Sequence, residues 1–244
     1  ISGLLSCSWA NPQYGKVIAV STIQGKVFIL KENNGIWETV FNLESSKFFP
    51  SILKFNPYFS DALILAVGYS DGKVAIIKYS HDRFETYSTQ CHTFGVTGLN
   101  WLYNNDKTDV YLISSGNDGN ISCWTLNKNC SLSNNSNLEK NSTSSIKGLD
   151  VVYTEDDGVN NIIAFDEDDE IYCWINKVNK SEFTSQKLDF NPDQKPSAIN
   201  HITLSPCGKL ISISYIEGVI LYKQNQETKF WEIISTSNND GQMI

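Results

Sequence analysis

Several things are scarce in this chain of 244 residues. It has no apolar run of about eighteen residues or more, so no membrane-spanning helix and no membrane insertion is expected. Basic residues are outnumbered: 19 Lys and Arg against 27 Asp and Glu leave a net charge of −8. Such a field repels a phosphate backbone, and direct nucleic-acid binding is not expected. The 3 histidines, His81, His92 and His201, are spaced so that neither a metal triad nor a nucleophile–base pair can be proposed. Among the 6 cysteines (Cys7, Cys91, Cys123, Cys130, Cys173 and Cys207) there is no C-x-x-C pair and no zinc spacing. They read as reduced thiols of an intracellular protein, nuclear or cytoplasmic. Walker A, G-x-G-x-x-G and G-x-S-x-G motifs are absent. The expectation is therefore a protein that is not an enzyme and carries no cofactor or metal. A starting Met and a basic-then-apolar leader are also missing, and the chain reads as part of a longer polypeptide.

What is present favours strands: 12% aromatic residues, abundant Thr, Val and Ile, and a single Met. The stretch "AVGYSDGKVAIIKY", a tight polar turn followed by β-branched residues, recurs. Aligned on the turn, the copies are "VSTIQGKVFIL", "VGYSDGKVAII", "SSGNDGNISCW", "AFDEDDEIYCW" and "ISYIEGVILY". Their turn residues, Gly25, Gly72, Gly119, Asp169 and Glu217, are 47, 47, 50 and 48 positions apart. A fixed period of this size belongs to repeat architectures.

A second short strand precedes each hairpin ("SILKFNP", "VTGLNWLYN", "IKGLDVVYT"), and a turn and fourth strand follow it ("GIWETVF", "RFETYST", "EFTSQKLDF", "KFWEIIS"). The "ENNG" turn of the first repeat has the Asn and Gly that a two-residue hairpin needs. One unit is thus a four-stranded antiparallel meander, and the chain is predicted to be all-β: a single β-propeller with at least five blades. The approximate blade limits are 1–45, 46–90, 91–128, 146–190 and 198–236. Residues 129–145, rich in Asn and Ser, are predicted to be a mobile inter-blade loop because they carry too little apolar area to order themselves. Third strands such as Val74–Ile77 are apolar without alternation, as expected of strands buried on both faces. Cys123 and Cys173 fall at the positions of Ile29, Ile76 and Leu221 and read as core.

In "CHTFGVTGLNW" followed by "LISSGNDGNISCW" the chain resembles the WD-repeat family, with Cys91-His92 at the Gly-His position and Trp124 at the Trp. The resemblance implies that Asp118 and Asp71 match the structural turn Asp, which bonds to the His, and that Trp174 is a second structural Trp. The Asp of the Trp-Asp pair is replaced throughout, by Lys31, Lys78, Thr125, Ile175 and Lys223. Within the family, Trp9-Ala10-Asn11-Pro12-Gln13-Tyr14-Gly15 is similar to the small scaffold propellers of the COPII coat and the nuclear pore. "HITLSPCGKLISISY" is similar, less specifically, to the propellers of TFIIIC subunits. The resemblance implies a non-enzymatic scaffold subunit whose partners are other protein subunits. Five blades with no strand left over leave two options: another part of the protein closes the ring, or a partner donates a blade. A subunit of a transcription or chromatin complex and a propeller that reads a basic or modified peptide in its channel are the alternatives.

Two groups stand out as candidate contacts. Asp166-Glu167-Asp168-Asp169-Glu170 reads as a solvated acidic turn or as a patch for a basic partner. Thr154-Glu155-Asp156-Asp157-Gly158 falls on the opposite rim. Trp37, Phe84 and Trp231, each followed by Glu, recur on the fourth strands. They read as packing between blades or as an aromatic ridge that docks a partner.

Overall fold

Each tight turn needs a residue in the left-handed region, and φ is +83° at Gly25, +85° at Gly72, +77° at Gly119 and +60° at Asp169. Two of these glycines are also pressed by the chain above them. A Cβ on Gly72 would lie 2.1 Å from the His92 carbonyl oxygen, and one on Gly119 2.4 Å from that of Thr143. The turns fold back apolar strands, and each meander closes into one antiparallel sheet.

The structure is a computed structural model that describes residues 3–44, 47–57, 62–103, 110–140, 142–154, 159–177, 183–186, 188–190, 196–216, 218–225, 227 and 230–238. Blade 1 is β1 (Leu4–Trp9), β2 (Val17–Thr22), β3 (Lys26–Asn33) and β4 (Ile36–Glu44). Blade 2 is β5 (Pro50–Phe55), β6 (Leu63–Tyr69), β7 (Lys73–Ser80) and β8 (Arg83–Gln90). Blade 3 comprises β9 (Val96–Tyr103), β10 (Val110–Gly116), β11 (Ile121–Leu126) and β12 (Leu132–Asn137). Blade 4 comprises β13 (Ile146–Thr154), β14 (Val159–Asp166), β15 (Ile171–Lys177) and the short β16 (Thr184–Gln186). Blade 5 is β17 (Ile199–Leu204), β18 (Leu210–Tyr215), β19 (Gly218–Gln224) and β20 (Trp231–Asn238). In every sheet the strands lie in chain order. The first two strands of each blade share a register break at the same place, for example between Pro50 and Ile52 and between Ser115 and Gly116.

The core sits between blades. One apolar cluster joins Val27 and Ile29 of blade 1 to Leu53, Leu65 and Ile77 of blade 2, and a second joins Ile76 to Trp101 and Leu112 of blade 3. A third joins Ile113 and Cys123 to Ile162 and Trp174, and a fourth joins Ile163 and Phe165 to Ile211 and Tyr222. The innermost strands are laced as well. Ser8 Oγ accepts from Phe55 N at 2.9 Å, and Trp101 Nε1 donates to the Lys54 carbonyl at 2.9 Å. Asp150 accepts from Asn100 Nδ2 at 3.1 Å on one side and from Leu204 N at 2.9 Å on the other. Four interfaces join five blades, and among the described residues no fifth cluster joins blade 5 to blade 1.

Residues 129–145 depart from the mobile loop expected of them. Leu132–Asn137 is β12, the outer strand of blade 3, so that blade runs past residue 128. Its order comes from pairing with β11 and from Leu132 and Leu138, which are buried at its two ends. Asn129 Oδ1 fixes the preceding turn by accepting from Ser131 N at 3.1 Å. Of the other turns expected, Glu217 and residues 155–158 lie outside the described residues.

Candidate interaction surfaces

The top rim of blade 3 holds a buried relay. Trp124 Nε1 donates to Ser114 Oγ at 2.8 Å, Ser114 Oγ lies 2.7 Å from His92 Nε2, and His92 Nδ1 lies 3.0 Å from Asp118 Oδ1. An indole only donates, so the Ser114 hydroxyl proton is free for Nε2, and Nδ1–H faces the carboxylate; a neutral His92 satisfies every group. Asp118 also accepts from Thr93 N and Asn120 N. Burial pushes its carboxyl upward, but the His92 and backbone hydrogen bonds outweigh this and hold it well below the usual carboxylate range. The structure thus brings His92, Asp118 and Trp124 together through Ser114. Ser114, the link between ring and indole, was invisible in the sequence because a strand serine has no distinguishing neighbour. Asp71 has the same turn position in blade 2, where it caps Lys73 N at 3.2 Å and pairs with Lys73 Nζ at 3.0 Å.

Blade 4 satisfies the same rim differently. By strand register Asp166 occupies the place of Gly116, and Ala164 that of Ser114. Ser142 stands where His92 does, four residues before the first paired residue of the blade. The Asp166 carboxylate is buried and accepts from Asp168 N at 3.0 Å, Glu170 N at 3.1 Å and Tyr172 Oη at 2.8 Å. Lys140 Nζ approaches it to 3.7 Å and lies 5.2 Å from the Tyr172 ring centroid. Desolvation lowers the Lys140 pKa, with Asp166 opposing the shift. Trp174 Nε1 turns to the Glu139 carbonyl, 3.0 Å away.

The acidic run is therefore not uniformly a solvated turn. Asp166 is interior, and Asp169 reaches across to cap Ala198 N and Ile199 N of blade 5 at 2.6 and 2.9 Å. Asp168 accepts from Ser144 Oγ. Glu167, Asp168 and Glu170 are the exposed members. The aromatic trio divides too. Trp231 is 5% exposed inside the cluster between blades 4 and 5, and Phe84 packs on Phe41 of blade 1 with centroids 4.5 Å apart. Neither can form an outer docking ridge, because the preceding blade has taken up its ring. Trp37 alone is open, 46% exposed and edge-on to Trp9 at 6.0 Å.

Trp9 and Trp37 sit on the uncovered side of blade 1. Register puts Trp9 beside Ile18, Ile18 beside Leu30 and Val20 beside Phe28, on the face opposite Val27 and Ile29. Leu4, Ile36 and Val40 are also exposed on this blade. The uncovered face of blade 5 is more polar: Ser212 pairs with Leu221 and Leu221 with Ser235, while Ser214 pairs with Val219 and Val219 with Ser237.

Burial raises the thiols of Cys91, Cys123 and Cys173 to about 12, so they are neutral. The polar cleft of about 440 Å³ beside His92 presents Gln90, Asn120, Asn134 and Asn137, neutral amides, around an already satisfied Asp118. Among the described residues no group of three His, Cys, Asp or Glu could hold a metal, and no helix is long and apolar enough to cross a membrane.

No family model matches the chain. It is 24% identical over 235 residues to the protein SEC13 homolog of Caenorhabditis briggsae, covering 93% of this chain and 74% of that protein. To the protein transport protein sec13 of Emericella nidulans it is 26% identical over 102 residues, 38% of this chain and 33% of that protein. Among solved structures it is similar to the Cps50 (Swd1) β-propeller domain of Myceliophteria thermophila, with a TM-score of 0.68 and 11% identity, over 97% of this chain and 73% of that one. This chain folds as a β-propeller. Its departures from the repeat pattern, the missing Asp after Trp124 and Trp174 above all, leave that architecture intact because blade-to-blade packing carries it.

Proposed function

We propose that this propeller is a non-enzymatic protein-interaction scaffold, a subunit of a large assembly of the coat or nuclear-pore type working in the cytoplasm or nucleus. The observation that carries the reading is the uncovered face of blade 1, where Trp9 and Trp37 stand 60% and 46% exposed, whereas the apolar faces between adjacent blades are packed into four clusters. Covering one such indole contributes about 2 kcal/mol, so this face favours a partner over water. The occupant is a blade presented by another polypeptide or by another part of the same protein. The similarity to the SEC13 homolog of C. briggsae over 93% of this chain, and the transport function in the name of the E. nidulans relative, support the assembly class.

The test is affinity purification of the full-length protein from its own cells, with mass spectrometry of what is retained, beside a Trp9→Glu/Trp37→Glu variant. Coat or pore subunits held by the wild type and lost by the variant are expected. Retention of transcription-factor subunits instead would overturn the assembly assignment. Equal retention by both proteins would overturn the role of blade 1.

A further inference from the structure

The top rim carries a second surface, separate from the open side of blade 1. In four blades the second residue of the turn between the second and third strands donates its N–H to the loop that enters the blade: Ile23 to Gly3 at 2.8 Å, Ser70 to Phe49 at 3.0 Å, Asn117 to Gly95 at 2.8 Å and Glu167 to Ser145 at 3.0 Å. The loops also bridge to the preceding blade. Ser145 Oγ donates to the Asn117 carbonyl at 2.9 Å, and the Phe94 carbonyl lies within 2.7 Å of where a Gly72 Cβ would stand. The rim is thus one hydrogen-bonded seam from blade 2 through blade 3 to blade 4.

The chemistry along this seam is polarised. Phe48, Phe49 and Phe94 are 39%, 46% and 61% exposed on the entering loops of blades 2 and 3, and Ile23, on the turn of blade 1, is 58% exposed. These are entering-loop and turn positions, where Ser144, Ser145 and Gly95 show that nothing in the fold requires an aromatic ring. Lys73 lies 5.8 Å from the Phe48 centroid but is already paired with Asp71. On blade 4 the seam ends in the exposed Glu167, Asp168 and Glu170, near which stand Lys147, 3.9 Å from Glu167, and Lys140, which lies on the Asp166 side of the turn. Exposed aromatic rings on the entering loops of adjacent blades offer apolar surface to a partner, and the adjoining charge selects the occupant.

We propose that this rim docks an extended segment of a partner protein with apolar residues followed by basic ones, the apolar part on Phe48, Phe49 and Phe94 and the basic part on the blade 4 turn. The site lies outside the central channel and goes beyond the scaffold reading, since it does not depend on which assembly the propeller joins.

Fluorescence anisotropy with a labelled synthetic peptide carrying leucine and phenylalanine followed by an arginine run tests it. A matched peptide with glutamates in place of the arginines is the comparison. Saturable binding of the basic peptide alone is expected, weakened about tenfold by Phe94→Ala. Glu167→Lys should weaken it less and flatten its salt dependence. Phe49→Ala serves as a second exposed-ring variant, and circular dichroism shows that each variant is folded. No saturation with the basic peptide, equal binding of both peptides, or undiminished binding by both ring variants would overturn the proposal. Because the peptide test uses the propeller alone, its failure leaves the subunit-retention experiment untouched.

Discussion

Blades 3 and 4 meet the same requirement, a satisfied polar network under the top rim, with different residues. Blade 3 uses a ring: His92 fills the space under the turn, and Gly116 must lack a side chain, since its Cβ would lie 2.6 Å from His92 Nδ1. Blade 4 has Ser142 in place of the histidine, and Asp166 occupies the vacated space with a carboxylate that gathers two backbone N–H groups and the Tyr172 hydroxyl. The exchange is a linked one. Neither histidine nor aspartate is interchangeable alone, because each leaves the other's partners unpaired. Repeats can therefore lose their family signature while keeping the physical condition that the signature satisfied.

The largest effect is expected from Asp166→Ala, which leaves the buried Lys140 without its counter-charge and takes an acceptor from Tyr172 and two N–H groups. Removing one partner of a buried charged pair costs about 3–5 kcal/mol, and chemical denaturation should show a fall in that range. Next comes Gly116→Asp, which brings the blade 4 residue into blade 3 against the His92 ring and 2.8 Å from Asp118 Oδ1. A loss of about 3 kcal/mol is expected, and His92→Ser should recover at least about 1 kcal/mol of it in the double variant. Additive losses would show that the two blades do not share one solution. Asp118→Asn keeps an oxygen acceptor but loses the charge, with an expected cost of about 1–2 kcal/mol at neutral pH. The Asp118 pKa is lowered by folding, so its contribution is present above the unfolded carboxylate value near 4 and fades as pH falls below it. The gap in melting temperature between wild type and Asp118→Asn should accordingly narrow from pH 6 toward about pH 3. A gap independent of pH would assign the stability to shape rather than charge.

The same pair of blades shows where sequence reading succeeds. Hairpins were legible because a left-handed turn leaves a Gly, Asn or Asp, and because strands buried on both faces are apolar throughout, as in Val74–Ile77. The strand β12 was not legible: "LSNNSN" has no β propensity, and its order comes from the partner strand and from Leu132 and Leu138 at its ends. The acidic run misled for a related reason. Charge counts describe a residue facing water, whereas Asp166 sits where the turn points its N–H groups inward. Ser114 left no trace because one hydroxyl in a strand looks like any other until His92 and Trp124 converge on it. Trp37, Phe84 and Trp231 share one register position on their fourth strands, yet covering by the preceding blade buries Trp231 and partly buries Phe84, a distinction that only the packing can make.

The smallest effect on stability belongs to Trp37→Ala. Its ring touches Trp9 and is otherwise open, so the isolated chain should lose no more than about 0.5 kcal/mol. The same change should weaken capture of whatever covers blade 1 by about tenfold, because an indole buried at the centre of an interface is a frequent hot spot. Phe84→Ala inverts this pattern: that ring packs between Phe41 and Tyr79, and its loss should destabilise the chain by about 2–3 kcal/mol. Since Phe84 does not line the uncovered face, capture by the fraction that remains folded should be unaltered. Denaturation curves and pull-down yields measured side by side separate the two residues. If Trp37→Ala unfolds the chain as readily as Phe84→Ala, the blade 1 face is part of the internal packing and is not waiting for a partner.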